Sequence, residues 1–171
     1  MPTGSCYESE YPNLLPPLTL FAVADLRCSR HPRTFASRMA QTREIIVRPK
    51  PGEDIRGDFA RFLTLAGERD WSRLKVLFGF AWGNYAYEDD WIEEVVSPTQ
   101  LKKRVDVLEE NGDGAIGDDD LFITIEGLGT QFTFCHENDI HIEGVLDDPL
   151  LASELDRYRD LGWEIYERTK N

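Results

Sequence analysis

The chain has 171 residues, of which 41% are hydrophobic and 30% are charged, so we expect one globular domain and exclude an intrinsically disordered chain. Its formal net charge of −13 disfavours binding to nucleic acid or to an anionic membrane, and it favours a basic protein as the partner. No segment approaches the roughly 18 consecutive apolar residues that a membrane-spanning helix requires.

The first 38 residues differ in composition from the rest of the chain. They hold five of the nine prolines and two of the three cysteines, Cys6 and Cys28. We therefore interpret residues 1–38 as a mobile N-terminal extension and residues 39–171 as the single compact domain. Glu8 and Glu10 stand where a signal peptide would be positively charged, so we expect a cytoplasmic protein with reduced cysteines.

The first elements of the domain alternate between strand and helix patterns. Residues 44–48 read as a strand, and residues 74–82 as a second one with Phe78, Phe80 and Trp82 on one side. Between them the pattern predicts an amphipathic helix that Asp54 opens and Gly67 closes. Its apolar face consists of Ile55, Phe59, Phe62, Leu63 and Ala66.

Two later helices carry clear start and stop signals. Ser97 as N-cap, Pro98 at the first helical position and Gln100 in a capping box predict a helix that ends at Asn111 and Gly112. Asp148 and Pro149 predict the start of the last helix, and Gly162 predicts its end. The alternating residues 163–166 then predict a final strand.

Three short strands between these helices predict a meander over residues 121–145. The first two are joined by a turn around residues 127–129, which places the apolar sets of both strands on one face. A three-residue turn at 137–139 would place Phe134 opposite Ile142 and Cys135 opposite His141. The predicted fold is therefore α+β, with a mainly antiparallel sheet and helices packed on one face.

Aromatic and acidic residues interleave just after the second predicted strand, where loops commonly carry binding residues. Tyrosine and tryptophan serve as anchors in protein interfaces, with charged residues around them. Paired carboxylates beside aromatics also suit a carbohydrate site, but no catalytic spacing supports that alternative. The predicted partner-binding residues are Tyr85, Tyr87, Glu88, Asp89, Asp90, Trp91, Glu93 and Glu94.

Residues 109–120 resemble an EF-hand calcium loop over those twelve residues only. Oxygen-bearing side chains fall at ligand positions, Gly114 falls at the sharp turn and Ile116 falls at the usual apolar position. The segment departs from the motif because Glu109 replaces the usual first aspartate and Asp120 replaces the last glutamate. The same sequence is also a common way to end a helix and turn into a strand. The predicted calcium ligands are Glu109, Asn111, Asp113 and Asp120.

The sequence allows two further sites around Cys135. His141 and Glu143 lie with Cys135 on the outer face of the predicted hairpin, where Cys135 could act as the nucleophile of a small hydrolase. With His136 or His141, and with Cys28 and His31 from the extension, it could contribute to a zinc site. The alternative to both sites is that these residues lie on a solvated strand face and that the histidines have no function beyond the surface.

The charge is concentrated in the middle of the sequence. Residues 88–148 contain eighteen acidic residues against three basic ones. Such a surface attracts a cationic partner, and inhibitors of nucleases, including immunity proteins, commonly take this physical form. We therefore predict a non-enzymatic, acidic protein-binding module of the inhibitor or immunity type, without a cofactor. Calcium binding and a small hydrolase are the alternatives.

Overall fold

The computed structural model describes residues 41–79, Trp82 and residues 93–170. Its elements in these ranges are β1 (Thr42–Arg48), α1 (Arg56–Glu68), β2 (Leu74–Phe78), β3 (Glu94–Val96), α2 (Pro98–Asn111), β4 (Leu121–Ile125), β5 (Gln131–Cys135), β6 (Asp139–Val145), α3 (Pro149–Leu161) and β7 (Glu164–Lys170). None of these helices is long and apolar enough to cross a membrane. The predicted domain boundary between residues 38 and 39 lies outside the described residues.

The seven strands form one sheet in the order β3-β2-β4-β5-β6-β1-β7. Each pair of neighbouring strands is antiparallel. The strands β4, β5 and β6 follow one another in both sequence and space, as the predicted meander requires. The strand β1 lies between β6 and β7, so it joins elements that are distant along the chain. This arrangement confirms the predicted α+β fold with a mainly antiparallel sheet.

One face of the sheet carries the hydrophobic core. In β1, Ile45 and Val47 are fully buried in this core, whereas Glu44 and Ile46 alternate with them and lie on the opposite face. The same alternation continues through β4, β5 and β6, and apolar residues of the helices join the same cluster. The helices therefore cover one face. The other face, called the outer face below, carries Glu44, Phe122, Thr133, Cys135, His141 and Glu143.

Local signals set the ends of α2 and α3. The Ser97 hydroxyl accepts a hydrogen bond from the Gln100 amide at 3.3 Å, and the Gln100 side chain accepts one from the Ser97 amide at 2.8 Å. Asp148 caps α3 by accepting from the Leu150 amide at 2.8 Å. Gly112 and Gly162 end the two helices with φ angles of 76° and 68°, which favour glycine. Both helices match their predicted bounds.

Two predicted element ends were wrong. The helix α1 continues past Gly67 and is capped at Arg69, whose amide donates to the Leu65 carbonyl at 2.9 Å. Its first turn lacks a side-chain cap, although the Asp54 carboxylate accepts from the Arg56 amide at 3.0 Å. The strand β2 ends at Phe78, earlier than the predicted residue 82.

The predicted register of β5 against β6 was wrong by two residues. Phe134 lies opposite Ile140, and Cys135 lies opposite Asp139. The turn has three residues, as predicted, but they are residues 136–138, because Asn138 adopts the left-handed conformation with a φ of 56°. Its side chain holds the turn by accepting from the Ile55 amide at 3.1 Å. A shift of two residues preserves the faces, so the predicted outer face is unchanged.

Candidate functional site

Most of the predicted partner-binding segment lies outside the described residues, namely Tyr85, Tyr87, Glu88, Asp89, Asp90 and Trp91. Glu93 and Glu94 are described, and both carboxylates form ion pairs. Glu93 contacts the Lys75 ammonium at 3.1 Å, and Glu94 contacts the Arg104 guanidinium. These two charges are therefore partly compensated within the domain.

The four predicted calcium ligands are not brought together. Glu109 forms an ion pair with Arg56 at 2.6 Å and accepts from the Ile116 amide at 3.1 Å. Asp120 is directed toward His136, at 2.9 Å. Among the described residues, Glu109 and Asp113 belong to no group of three potential metal ligands, and Asn111 is an exposed residue at the end of α2. Calcium binding by residues 109–120 stays a prediction.

The glycine at the sharp turn of this segment has a packing role. Gly114 has a φ of 151°, and a Cβ atom there would lie 2.7 Å from the ring of Trp82. Trp82 is fully buried, and its indole N–H donates to the Asp120 carbonyl at 2.9 Å. The close approach of an aromatic ring to the backbone thus explains why glycine stands at this position.

Gly114→Ala is expected to lower the free energy of unfolding by about 2–4 kcal/mol, because the methyl group would overlap Trp82 on a strained backbone. Gly112→Ala is the matched control. Its φ of 76° is also left-handed, but nothing lies within 4 Å of the added carbon, so a loss of about 1–2 kcal/mol is expected. Urea unfolding followed by tryptophan fluorescence checks both values. Equal losses would contradict the packing role.

Several acids of residues 109–120, here called the acidic turn, keep an uncompensated charge. Glu110, Asp113 and Asp118 form no ion pair within the described part of the chain, and Glu110 and Asp118 are exposed. The turn contains six acids and no base. It also follows the C-terminus of α2, where the helix dipole adds partial negative charge. An anionic surface is therefore expected at the acidic turn.

A second group of polar residues lies on the outer face, where β5 turns into β6. Potential metal-ligand atoms of Cys135, Asp139 and His141 lie within 4.8 Å of one another. We call these three residues the outer-face cluster. The pairing of β5 with β6 creates it, because Cys135 faces Asp139 and Thr133 faces His141. A cavity of about 290 Å³ adjoins the cluster and includes Cys135 and His141 in its wall.

Asp139 is the buried member of the outer-face cluster, with a side chain that is 1% exposed. One carboxylate oxygen, Oδ2, accepts from the Nε of Arg48 at 3.2 Å. The other, Oδ1, lies 3.2 Å from the Nε2 of His141 but in a geometry that makes no hydrogen bond. A buried carboxylate oxygen without a hydrogen bond is costly and calls for a physical explanation.

Glu44 orients the histidine of the cluster. The Nδ1 of His141 lies 3.1 Å from a carboxylate oxygen of Glu44, across the pairing of β1 with β6. Burial opposes ionisation of Glu44, but hydrogen bonds from Arg168, His141 and Lys170 outweigh it and lower its pKa to about 2. The carboxylate is therefore ionised at neutral pH and accepts a hydrogen bond from the Nδ1–H of His141, which leaves Nε2 directed toward Asp139.

The geometry does not favour the predicted hydrolase site. Burial, with the negative charges of Asp139 and Asp120, raises the pKa of the Cys135 thiol to about 12. The thiol is therefore protonated at neutral pH and is a poor nucleophile. Glu143, the predicted orienting group, contacts Lys170 at 2.5 Å, whereas the carboxylate beside His141 is Glu44.

His136 and Asp120 form a separate ion pair beside the cluster. The hydrogen bond that His136 donates to the Asp120 carboxylate, together with the negative charge of that carboxylate, raises the pKa of His136. His136 is exposed, and its Nδ1 lies 3.7 Å from the Cys135 sulfur. Together with Cys135 these residues make a second set of potential ligands within 4.8 Å. Cys28 and His31, the other residues of the zinc site that the sequence allows, lie outside the described residues.

Sequence reasoning missed Glu44 and Asp139. Glu44 alternates with Ile45 and Val47, which places it on the outer face, but nothing local indicates that β1 pairs with β6. Asp139 was assigned to a turn because the register was displaced by two residues. In comparisons with known proteins, no family model, curated protein or solved structure matches the chain.

Proposed function

We propose that this protein is a non-enzymatic binding module of the inhibitor or immunity type, and that it engages a basic protein partner through its acidic surface. The observation that carries the proposal is the acidic turn, where Glu110, Asp113 and Asp118 form no ion pair among the described residues. A nuclease is the class of partner that fits best, because its phosphate-binding groove is a cationic surface.

The distribution of charge supports a directed interaction. Residues 93–148 contain fifteen acids and three bases, whereas residues 41–79 contain six acids and eight bases. A surface of one sign raises the association rate of an oppositely charged partner, and it discourages association with like-charged surfaces. Tyr85, Tyr87 and Trp91 remain the predicted aromatic anchors of the interface.

The test begins with a pull-down and mass spectrometry to recover a partner, followed by association and dissociation rates at low and high salt. The triple variant Glu110→Gln, Asp113→Asn, Asp118→Asn is expected to associate about 5- to 10-fold more slowly at low salt. Its dissociation rate should change little. The difference should shrink at physiological salt, because attraction is screened beyond roughly 8 Å.

The matched control removes three exposed acids elsewhere, in the variant Glu68→Gln, Asp70→Asn, Asp160→Asn. It changes the net charge equally, so a smaller effect on association locates the interaction at the acidic turn. Trp91→Ala should instead raise the dissociation rate, since buried anchors govern the lifetime of a complex. An association rate that is independent of salt would contradict the proposal.

A further inference from the structure

The buried Oδ1 atom of Asp139 is the observation that points to a ligand. It makes no hydrogen bond, and the Nε2 of His141 lies 3.2 Å from it. The Nδ1 of His141 contacts Glu44, so Nε2 is the ring nitrogen that faces Oδ1. A metal ion bound between Nε2 and Oδ1 would give the buried carboxylate oxygen a partner.

We propose that Cys135, Asp139 and His141 bind one divalent transition-metal ion of the zinc class. The ligand atoms would be the sulfur of Cys135, the Oδ1 of Asp139 and the Nε2 of His141. The metal would displace the thiol proton of Cys135, which is released to solvent when the sulfur binds as a thiolate. A thiolate, an imidazole and a carboxylate together select zinc over calcium or magnesium, which prefer oxygen ligands alone. None of the three ligands belongs to the acidic turn, although Asp120 at its end lines the same cavity as Cys135 and His141. The argument for the metal does not use the proposed partner interaction.

The dimensions of the cluster suit such an ion. Zinc lies about 2.0–2.3 Å from nitrogen, oxygen and sulfur ligands, so two ligand atoms of a tetrahedral site are roughly 3.3–3.8 Å apart. The Oδ1 of Asp139 and the Nε2 of His141 are already close to this spacing, at 3.2 Å. Potential ligand atoms of all three residues lie within 4.8 Å of one another, so a side-chain movement of roughly 1 Å completes the set. The adjoining cavity of about 290 Å³ gives the ion access and leaves room for a water molecule as the fourth ligand.

Glu44 acts as a positioning residue for this site. Histidines that bind metals commonly donate their second ring N–H to a carboxylate, which fixes the tautomer and the ring orientation. The 3.1 Å contact of His141 with Glu44 has this form. In the same way, Arg48 holds the other oxygen of Asp139 at 3.2 Å and leaves Oδ1 directed at the cluster.

The second ligand set, Asp120, Cys135 and His136, fits a metal less well. The Nδ1 of His136 already contacts an Asp120 oxygen at 2.9 Å, so a metal would have to displace this ion pair. The His136 side chain is also 58% exposed, and the Asp120 side chain that contacts its ring is 30% exposed. His136→Gln is therefore the control variant for His141→Gln.

The test uses the full chain with Cys6→Ser and Cys28→Ser, in which Cys135 is the remaining cysteine. Titration with Co²⁺ should give a thiolate-to-cobalt charge-transfer band in the near ultraviolet that saturates at one equivalent. Zn²⁺ should displace the cobalt and abolish the band. Absence of the band at stoichiometric Co²⁺ would overturn the proposal without reference to any ligand variant.

Single-residue variants identify which side chains bind the metal. Cys135→Ser should abolish the band, and His141→Gln should weaken Zn²⁺ binding more than about 100-fold. Glu44→Gln should weaken it about 10- to 100-fold, the usual effect of losing the hydrogen-bond partner of a ligand. His136→Gln should bind as the parent does, and circular dichroism checks that each variant is folded. A loss with His136→Gln equal to that with His141→Gln would overturn the assignment.

Discussion

Phe134→Ala is expected to lower the free energy of unfolding by about 3–5 kcal/mol, because it removes a large buried side chain and leaves a cavity. The Phe134 side chain is 1% exposed, and its ring packs edge-on against Phe59 at 5.3 Å between ring centroids. It also contacts Phe62 at 6.2 Å. A loss of this size is a large fraction of the stability of an ordinary domain. Urea denaturation measures it.

Thr133→Ala is the matched control, because Thr133 is adjacent in β5 but lies on the outer face. Its replacement should change the free energy of unfolding by less than about 1 kcal/mol. Leu101→Ala, on the buried face of α2, should resemble Phe134→Ala, with a loss of about 2–5 kcal/mol. If all three variants lose similarly little stability, the assignment of faces in β5 is wrong.

Acidification should destabilise the protein through Glu44 as the pH falls from about 4.5 toward about 2. The pKa of Glu44 is about 2 in the folded protein, against 4.5 as its ordinary value. A carboxylate with a lowered pKa stabilises the fold fully above its unfolded pKa and loses that contribution as it becomes protonated. We expect about 1–3 kcal/mol from this group, because its partners Arg168 and Lys170 are largely exposed to solvent.

Glu44→Gln isolates this contribution. The variant should be less stable than the parent at pH 7, and the two proteins should converge in stability as the pH is lowered. Because the other carboxylates are common to both, the difference between their urea midpoints at pH 7, 4.5 and 3 reports Glu44 alone. A difference that stays constant over this range would contradict the lowered pKa.

The predictable parts of the fold were those with local causes. The capping box of Ser97 and Gln100 and the left-handed glycine at 112 use hydrogen bonds within one helix end, so the sequence reveals them directly. The faces of β4 and β5 follow from alternation in the same way. These local signals predict where the helices and strands lie, that three strands form a meander, and which face of the sheet carries the core.

The outer-face cluster could not be predicted because its geometry depends on distant parts of the chain. The contact of Glu44 with His141 joins residues 97 positions apart, and it exists because β1 pairs with β6. The register of β5 against β6 depends on the conformation of Asn138, whose side chain bonds to Ile55 near the start of α1. Neither interaction leaves a periodic pattern in the sequence.

The position of β1 has a consequence for how the chain folds during synthesis. Its hydrogen-bond partners are β6 and β7, and Thr42 pairs with both Val145 and Lys170. A ribosome therefore releases almost the whole domain before β1 can be paired on either side, and closing such long loops slows folding. Until then the nascent β1 exposes Ile45 and Val47, together with two unpaired backbone edges. We expect nascent chains to need protection from aggregation until β7 has emerged.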